Sequence, residues 1–420
     1  MIRRPIASKL ARLVAVCGWV FLAADFATGS RAIASDEVTP STVKSDEIII
    51  LFPTIAHLPK DADQWEVSLH GWIFEKRHFQ NIREWWSKIS ADDDDDDLDA
   101  EVDDNDLREI STTTTSAPVD KPRIRKRDIL KQRSHYFLVD NERGKRIALE
   151  LAGERCVSEA SAPNGHFRGT AQLDRRTVEV LSPKAKPGDA DRDLVIPVRV
   201  DLDDGDDRLF TSDVFFLRDR GVSVVSDIDD TIKITEVLSK RACSRNTFLR
   251  PFRAVPGMAD LYKDWSRQGA TLHYVSACPW QLYEPLREFM AEAGFPAGPM
   301  VMKLFRWKDR TVWDLFDSPE EFKVEQVGAI LERFPNRHFI LVGDSGQSDP
   351  EAYGALARRF PRQVKRILIR SVPGGRSDFN QAFRDLPREK WQVFTNANEI
   401  KGSLEVQLAD GPSQPTTSRE

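Results

Sequence analysis

Between Val224 and Thr231 the chain passes from two adjacent β-branched residues straight into three aspartates, in the string Val-Val-Ser-Asp-Ile-Asp-Asp-Thr. The apolar residues predict a strand, and the acids mark the point where that strand gives way to a loop. Alternate side chains of a strand share a face, so Asp227 and Asp229 project together. Two carboxylates that close stay ionised together only if a cation sits between them; otherwise one keeps its proton. An anionic nucleophile, a neutral acid and a divalent metal are the requirements of phosphoryl transfer. The alternative is a strand end with solvated acids, as in Asp201-Leu-Asp-Asp204 upstream. The string alone does not decide between them.

Three downstream segments bear on the choice. Thr271-Leu-His-Tyr-Val-Ser276 is a second apolar run ending in a small hydroxyl residue. Lys323 stands near the start of a segment with helical periodicity, and His338-Phe-Ile-Leu-Val-Gly-Asp344 is a third apolar run that breaks at Gly343 and leads on to Asp349. Strands rich in Val, Ile and Leu that alternate with helices predict a parallel sheet covered on both faces. Ligands of such sheets bind at the carboxyl ends of the strands, where all these polar groups fall. In that setting Asp227 is the expected nucleophile, and Asp229 the acid that protonates the leaving oxygen and then activates water, a task that asks for a raised pKa. Mg²⁺ prefers a few hard oxygens, and Asp227, the Asp229 carbonyl and Asp344 supply them. Thr231 and Ser276 offer hydroxyls to phosphoryl oxygens, Lys323 offsets their charge, and Asp349 orients Lys323 or a metal-bound water. Lys303 competes with Lys323 for the cationic role. Lys323 is preferred because it leads the helix that feeds the Asp344 strand.

The set Asp227-x-Asp229-x-Thr231, Ser276, Lys323 and Gly343-Asp344 with Asp349 resembles the haloacid dehalogenase-like phosphohydrolases. The longer strings Ser226-Asp-Ile-Asp-Asp-Thr-Ile-Lys233, Tyr274-Val-Ser-Ala-Cys-Pro-Trp-Gln-Leu-Tyr283 and Leu341-Val-Gly-Asp-Ser-Gly-Gln-Ser-Asp-Pro-Glu351 resemble the actin-patch-protein family of phosphatidate phosphatases. Arg245-Asn-Thr-Phe248 and Val255-Pro-Gly-Met258 fit the same pattern, whereas Cys278 stands where a small polar residue is expected. The resemblance spans about residues 130–400 and is strongest over about 221–370. It implies a haloacid dehalogenase-like, Rossmannoid α/β fold and hydrolysis of phosphatidate to diacylglycerol and phosphate with Mg²⁺. The partner it implies is phosphatidate or another anionic lipid at a membrane surface.

The chain length allows two folded domains with irregular segments between and around them. Residues 1–34 are expected to be an export signal: Arg3, Arg4, Lys9 and Arg12 precede an apolar stretch from Leu13 to Ala27, and Ala32-Ile-Ala34 offers a cleavage site. That places the mature protein in the periplasm or cell envelope, with an uncleaved anchor as the alternative. Such a signal is not expected of the family's intracellular lipid enzymes. Residues 46–220 are expected to form an all-β, sandwich-like domain from short strands that include His135–Val139 and Val178–Leu181. An acidic insertion at about 88–122, with aspartates from Asp92 to Asp97 and a Ser/Thr run after, cannot bury a core and is expected to be disordered. The catalytic α/β domain is expected over 221–400, with a loose tail over 401–420. Removal of Cys17 with the signal leaves Cys156, Cys243 and Cys278, an odd and scattered set that points to structural thiols.

Little chain lies between Asp229 and the helix expected near Val255, so a large cap over the site is not expected. Such an open site suits a large or surface-bound phosphate ester. The segment Thr235–Ala254 interleaves Lys240, Arg241, Arg245, Arg250 and Arg253 with Phe248, Leu249 and Phe252. It either rests on an anionic lipid surface or is a loop whose aromatics pack inward. The formal net charge of −6 provides no general attraction to nucleic acid. Three functions stay open: a Mg²⁺-dependent lipid phosphatase, a phosphatase of the same chemistry on a phosphoprotein or other phosphomonoester, and a non-catalytic envelope-binding protein. The complete set of acids argues against the last.

Overall fold

The structure is a computed structural model that describes residues 39–76, 86, 125–181, 193–304 and 320–404. The expected export signal, the acidic insertion and the tail beyond 404 lie outside the described residues.

The first region is built from β1 (Glu47–Leu51), β2 (Thr54–His57), β3 (Gln64–Glu75), β4 (Asp140–Asn141), β5 (Ala148–Leu151), β6 (Glu154–Val157), β7 (His166–Asp174), β8 (Leu194–Val200) and β9 (Thr211–Leu217). Their order is β1-β3-β2-β9-β8-β5-β6, with β4 and β7 also paired to β3. The pairs are antiparallel except β2 with β9. Alternation along the strands collects Trp65, Val67, Leu149, Val198 and Phe216 into one buried cluster. The region is sandwich-like in surrounding its own core, but one hydrogen-bonded network supplies that core's walls rather than two separate sheets.

Two expected strands are helical instead. His135–Val139 opens with a 3₁₀ turn, His135–Phe137, which continues helix α1 (Lys126–Ser134). Val178–Leu181 lies in α2 (Arg175–Leu181). There Val178 is buried while Val180 is 83% exposed, so the period-two pattern has no sheet face to bury. The i,i+4 pair of Arg175 with Glu179, at 2.9 Å, favours the helix.

The second region matches the expected parallel sheet. Strands β10 (Val222–Ser226), β11 (Thr271–Pro279), β12 (Met300–Lys303), β13 (His338–Asp344), β14 (Val364–Arg370) and β15 (Trp391–Phe394) lie in the order β12-β11-β10-β13-β14-β15. All five pairings are parallel. Between the strands run α3 (Lys240–Phe248), α4 (Met258–Arg267), α5 (Tyr283–Ala293), α6 (Glu320–Arg333) and α7 (Asp349–Arg359). Val224, Leu272 and Val342 face one side and pack with Leu261 of α4 and Leu286 of α5. Val225, Val275 and Leu341 face the other side and pack with Val327 of α6 and Leu356 of α7. Helices on both faces explain why these strands read as continuous apolar runs.

Segment Thr235–Ala254 takes the inward-packed alternative, and it is partly helical rather than all loop. It carries α3, whose first turn is capped by Ser239 Oγ accepting from the Ala242 N–H at 3.3 Å. Phe248, Leu249 and Phe252 are buried in the core, so these aromatics are not available to enter a lipid surface. At the far end, the turn Ala397–Ser403 buries Ile400, and Leu404 is buried after it, so the packed chain passes the expected limit at 401.

The β region contributes to both cores of the parallel sheet, through Ile50, Phe52 and Phe74 on one face and Ile55, Phe215 and Leu217 on the other. Phe52, 1% exposed, stands 4.0 Å from the Trp280 ring centroid and 5.0 Å, edge-on, from Tyr283. Phe52→Ala is therefore expected to cost about 3–5 kcal/mol, the range for a buried aromatic cut to Ala. Urea unfolding checks this: a loss below about 1 kcal/mol would mean that the two regions touch without sharing a core.

Candidate active site

Strand β10 lies in the middle of the parallel sheet, with β11 and β12 on one side and β13 to β15 on the other. The order reverses between β10 and β13, the position at which such sheets bind ligands at their carboxyl edge. Asp227 leaves β10 there, its N–H donating to the Val342 carbonyl at 2.9 Å, and Asp344 ends β13 beside it. Gly343 admits a third acid. A Cβ at this position would fall on the Asp349 carboxylate, which folds back from the start of α7 to accept the Asp344 N–H at 3.0 Å.

Carboxylate oxygens of Asp227, Asp344 and Asp349 all lie within 4.8 Å of one another, and all three residues are buried. Lys323, on α6 and fully buried, pairs with Asp227 Oδ1 at 2.9 Å and with Asp349, and it donates to Gln347 Oε1 at 3.3 Å. Thr231 Oγ1 donates to the other Asp227 oxygen at 3.3 Å. Asp344 Oδ1 accepts the N–H groups of Gly346, at 2.6 Å, and Gln347, at 3.2 Å. Among the described residues its Oδ2 is buried without a hydrogen-bond partner.

Three carboxylates facing one ammonium leave a surplus of negative charge in a site closed to water. Burial pushes Asp227 up to about 8; Lys323 opposes the rise, and the charges of Asp349 and Asp229 add to it. Burial, with Asp349 and Asp227, likewise drives Asp344 well above the carboxylate range. Burial would lower the Lys323 pKa, but the charges of Asp227, Asp349 and Asp344 outweigh it and the ammonium is held. A divalent cation would remove such a surplus. Hard oxygens, two of them reluctant to ionise and one unpartnered, fit it.

Asp229 belongs to an adjoining half of the site. Its Oδ1 lies 2.7 Å from the Lys233 ammonium and accepts from Thr235 Oγ1 at 2.8 Å, while its Oδ2 accepts from Ser276 Oγ at 3.0 Å. Asp227, Thr231, Lys323, Asp344 and Asp349 thus come together. Asp229 adds no carboxylate to the three-acid group, and Ser276 spends its hydroxyl proton on Asp229 rather than holding it free for a ligand. Lys323, not Lys303 on β12, holds the place beside Asp227.

Sequence reasoning missed three supporting residues. Lys233 and Thr235 hold Asp229, and both are buried. Asp230 adopts the left-handed backbone at φ 54°. Its carboxylate accepts the N–H groups of Thr235 and Glu236 at 2.8 Å and Val237 at 2.7 Å, which ties down the loop bearing Thr235. A signal for Lys233 was present: a lysine directly after an acid-rich strand end is placed to return to it.

Residues 222–371 match the family model described as the catalytic domain of phosphatidate phosphatase APP1. Over these residues the chain is similar to the APP1 catalytic domain. Phosphatidate phosphatase APP1 of Saccharomyces cerevisiae is 33% identical over 209 residues, covering 47% of this chain and 32% of that protein. A Schizosaccharomyces pombe protein described as uncharacterized is 29% identical over 168 residues, covering 39% of this chain and 27% of its own length. The chain therefore spans about a third or less of the curated relatives it matches. A putative β-phosphoglucomutase from Thermotoga maritima superposes with a TM-score of 0.29 at 14% identity, covering 44% of this chain and 99% of that one, too low a score to bear on the fold. Every site residue named above, including Lys233, Thr235 and Asp230, lies inside the matched segment. The nine-stranded β region precedes it.

Proposed function

We propose that the chain is a Mg²⁺-dependent phosphatidate phosphatase that works through a phosphoaspartyl intermediate on Asp227. The observation that carries the reading is the buried three-carboxylate group with its surplus charge and the unpartnered Asp344 Oδ2. The similarity to a protein described as a phosphatidate phosphatase supports the substrate.

Asp227, Asp344 and Asp349 are the carboxylates placed to hold the ion, directly or through water. Bound there, Mg²⁺ supplies Lewis-acid stabilisation of phosphoryl oxygens. The Asp227 carboxylate, oriented by Thr231 and Lys323, attacks phosphorus. The ester P–O bond breaks, and the leaving glycerol oxygen takes a proton from Asp229. Water then attacks the phosphorus of the acyl phosphate, Asp229 takes the water's proton, and phosphate departs with Asp227 restored. Lys233, Thr235 and Ser276 hold the Asp229 carboxyl in place through both halves of the cycle.

The test is phosphate release from phosphatidate in detergent micelles. Release is expected with Mg²⁺ and is expected to fall at least ~100-fold in EDTA, returning when Mg²⁺ is restored in excess. Equal release in EDTA would remove the metal from the reading. Release from a soluble aryl phosphate, with none from phosphatidate, would keep the chemistry and replace the substrate.

A further inference from the structure

A cavity of about 590 Å³ lies apart from the catalytic carboxylates, bounded by β1, β9, α5 and the 295–298 turn that leads into β12. None of Asp227, Asp229, Asp344 and Asp349 lines it. Its volume falls within the ~300–1,000 Å³ usual for small-molecule sites, and it sits where two regions of the fold meet, a common place for them. The walls combine polar groups with apolar side chains, Ile48, Phe74, Met290, Phe295 and Met300 among them. Leu209, which also lines the cavity, is 72% exposed, a large aliphatic group held in water.

The polar groups of the cavity select the ligand's head. Arg287 is already committed to Glu284, donating from two nitrogens to one carboxylate oxygen at 2.7 and 3.1 Å. Lys76 is exposed to water. Asp213 is half-buried, and among the described residues neither a hydrogen-bond donor nor a cation acts on its carboxylate. Burial pushes its carboxyl above the usual range. An anionic head would meet Asp213 and Glu284, with the Arg287 guanidinium already paired to Glu284. A neutral head with hydroxyl donors would satisfy Asp213 and leave the Arg287–Glu284 pair intact.

We propose that this cavity binds a neutral, hydroxyl-bearing acyl lipid of the acylglycerol class, with the chain against the apolar side chains and a hydroxyl donating to Asp213. The site is separate from the catalytic group and does not depend on the phosphatase reading, although a product of that proposed reaction belongs to the same chemical class.

The test uses the full chain with monooleoylglycerol, kept below its aggregation concentration and followed by titration calorimetry, with oleate and oleoyl lysophosphatidate as comparators. Ala291 and Ala297 line the cavity from exposed positions, so Ala291→Trp and Ala297→Trp fill it without entering a core. Saturable binding of one monooleoylglycerol per chain is expected, weakened at least about tenfold by either tryptophan, with the thermal midpoint and aryl phosphate hydrolysis unchanged. Asp213→Ala is expected to narrow the preference for monooleoylglycerol over oleate. Absence of saturable binding, or binding indifferent to both tryptophans, overturns the site. Tighter binding of oleate or of the lysophosphatidate overturns the assignment of the head. Absence of phosphate release from both phosphatidate and the aryl phosphate in the wild-type chain would sink the phosphatase reading and leave the lipid titration to stand by itself.

Discussion

Asp227→Asn is expected to abolish phosphate release from phosphatidate, by roughly 10⁴-fold or more, while the protein still folds. The side chain is 1% exposed, and its two oxygens are engaged separately, Oδ1 by Lys323 at 2.9 Å and Oδ2 by Thr231 at 3.3 Å. An amide has the same shape and keeps one oxygen, so packing is preserved. What it loses is the negative charge that the proposed nucleophile requires. It also removes one of the three buried acids that crowd the site, so without Mg²⁺ the variant is expected to melt no lower than the wild type. The pair of outcomes is specific. Loss of activity with a lowered melting point would mean that the substitution damages the fold, and activity within about tenfold of wild type would deny Asp227 the nucleophile's role.

Much of this site was legible because its parts stand at strand ends. A run such as His338–Val342 can hardly be other than a buried strand, and a parallel sheet brings the carboxyl ends of its strands to one edge however far apart they lie in sequence. Asp227, Ser276 and Asp344 were found in that way. Lys233 was not, because its place depends on a turn: its N–H bonds back to the Ile228 carbonyl at 3.0 Å, a closure that no strand pattern reports. Asp230 was hidden for a related reason, since its three backbone partners exist only once the chain has taken a left-handed step. The short elements α2 and His135–Phe137 were misread as strands where a few β-branched or aromatic residues outweighed local helix support. In α2 that support was an ion pair four residues apart, which the sequence displayed. The inward packing of Phe248 and Phe252 depends on α3, and its start was signalled only by Ser239.

Lys323→Met is expected to lower stability by about 3–5 kcal/mol when urea unfolding is measured with a chelator present. The ammonium is fully buried and paired to two carboxylates, Asp227 and Asp349. Methionine fills much of the same volume but leaves three acids facing one another with no cation among the described side chains of their group. The cost therefore comes from stranded charge rather than from lost packing, and this can be separated by a second substitution. Asp349→Asn keeps an acceptor for the Asp344 N–H, which Asp349 Oδ2 now accepts at 3.0 Å, while it removes one stranded charge. The double variant Lys323→Met/Asp349→Asn is expected to recover about half of the lost stability or more, a coupling of the kind that neighbouring charges show. Without such recovery the loss lies in packing, and the account of Lys323 as counter-charge is wrong. Catalysis should not recover in parallel: both variants are expected to stay ~100-fold or more below wild type, because in the proposed mechanism the ammonium beside Asp227 also offsets charge on the transferred phosphoryl group. Stability that returns while turnover does not would place the two roles of Lys323 on different partners, Asp349 in the resting fold and the phosphoryl oxygens during the reaction.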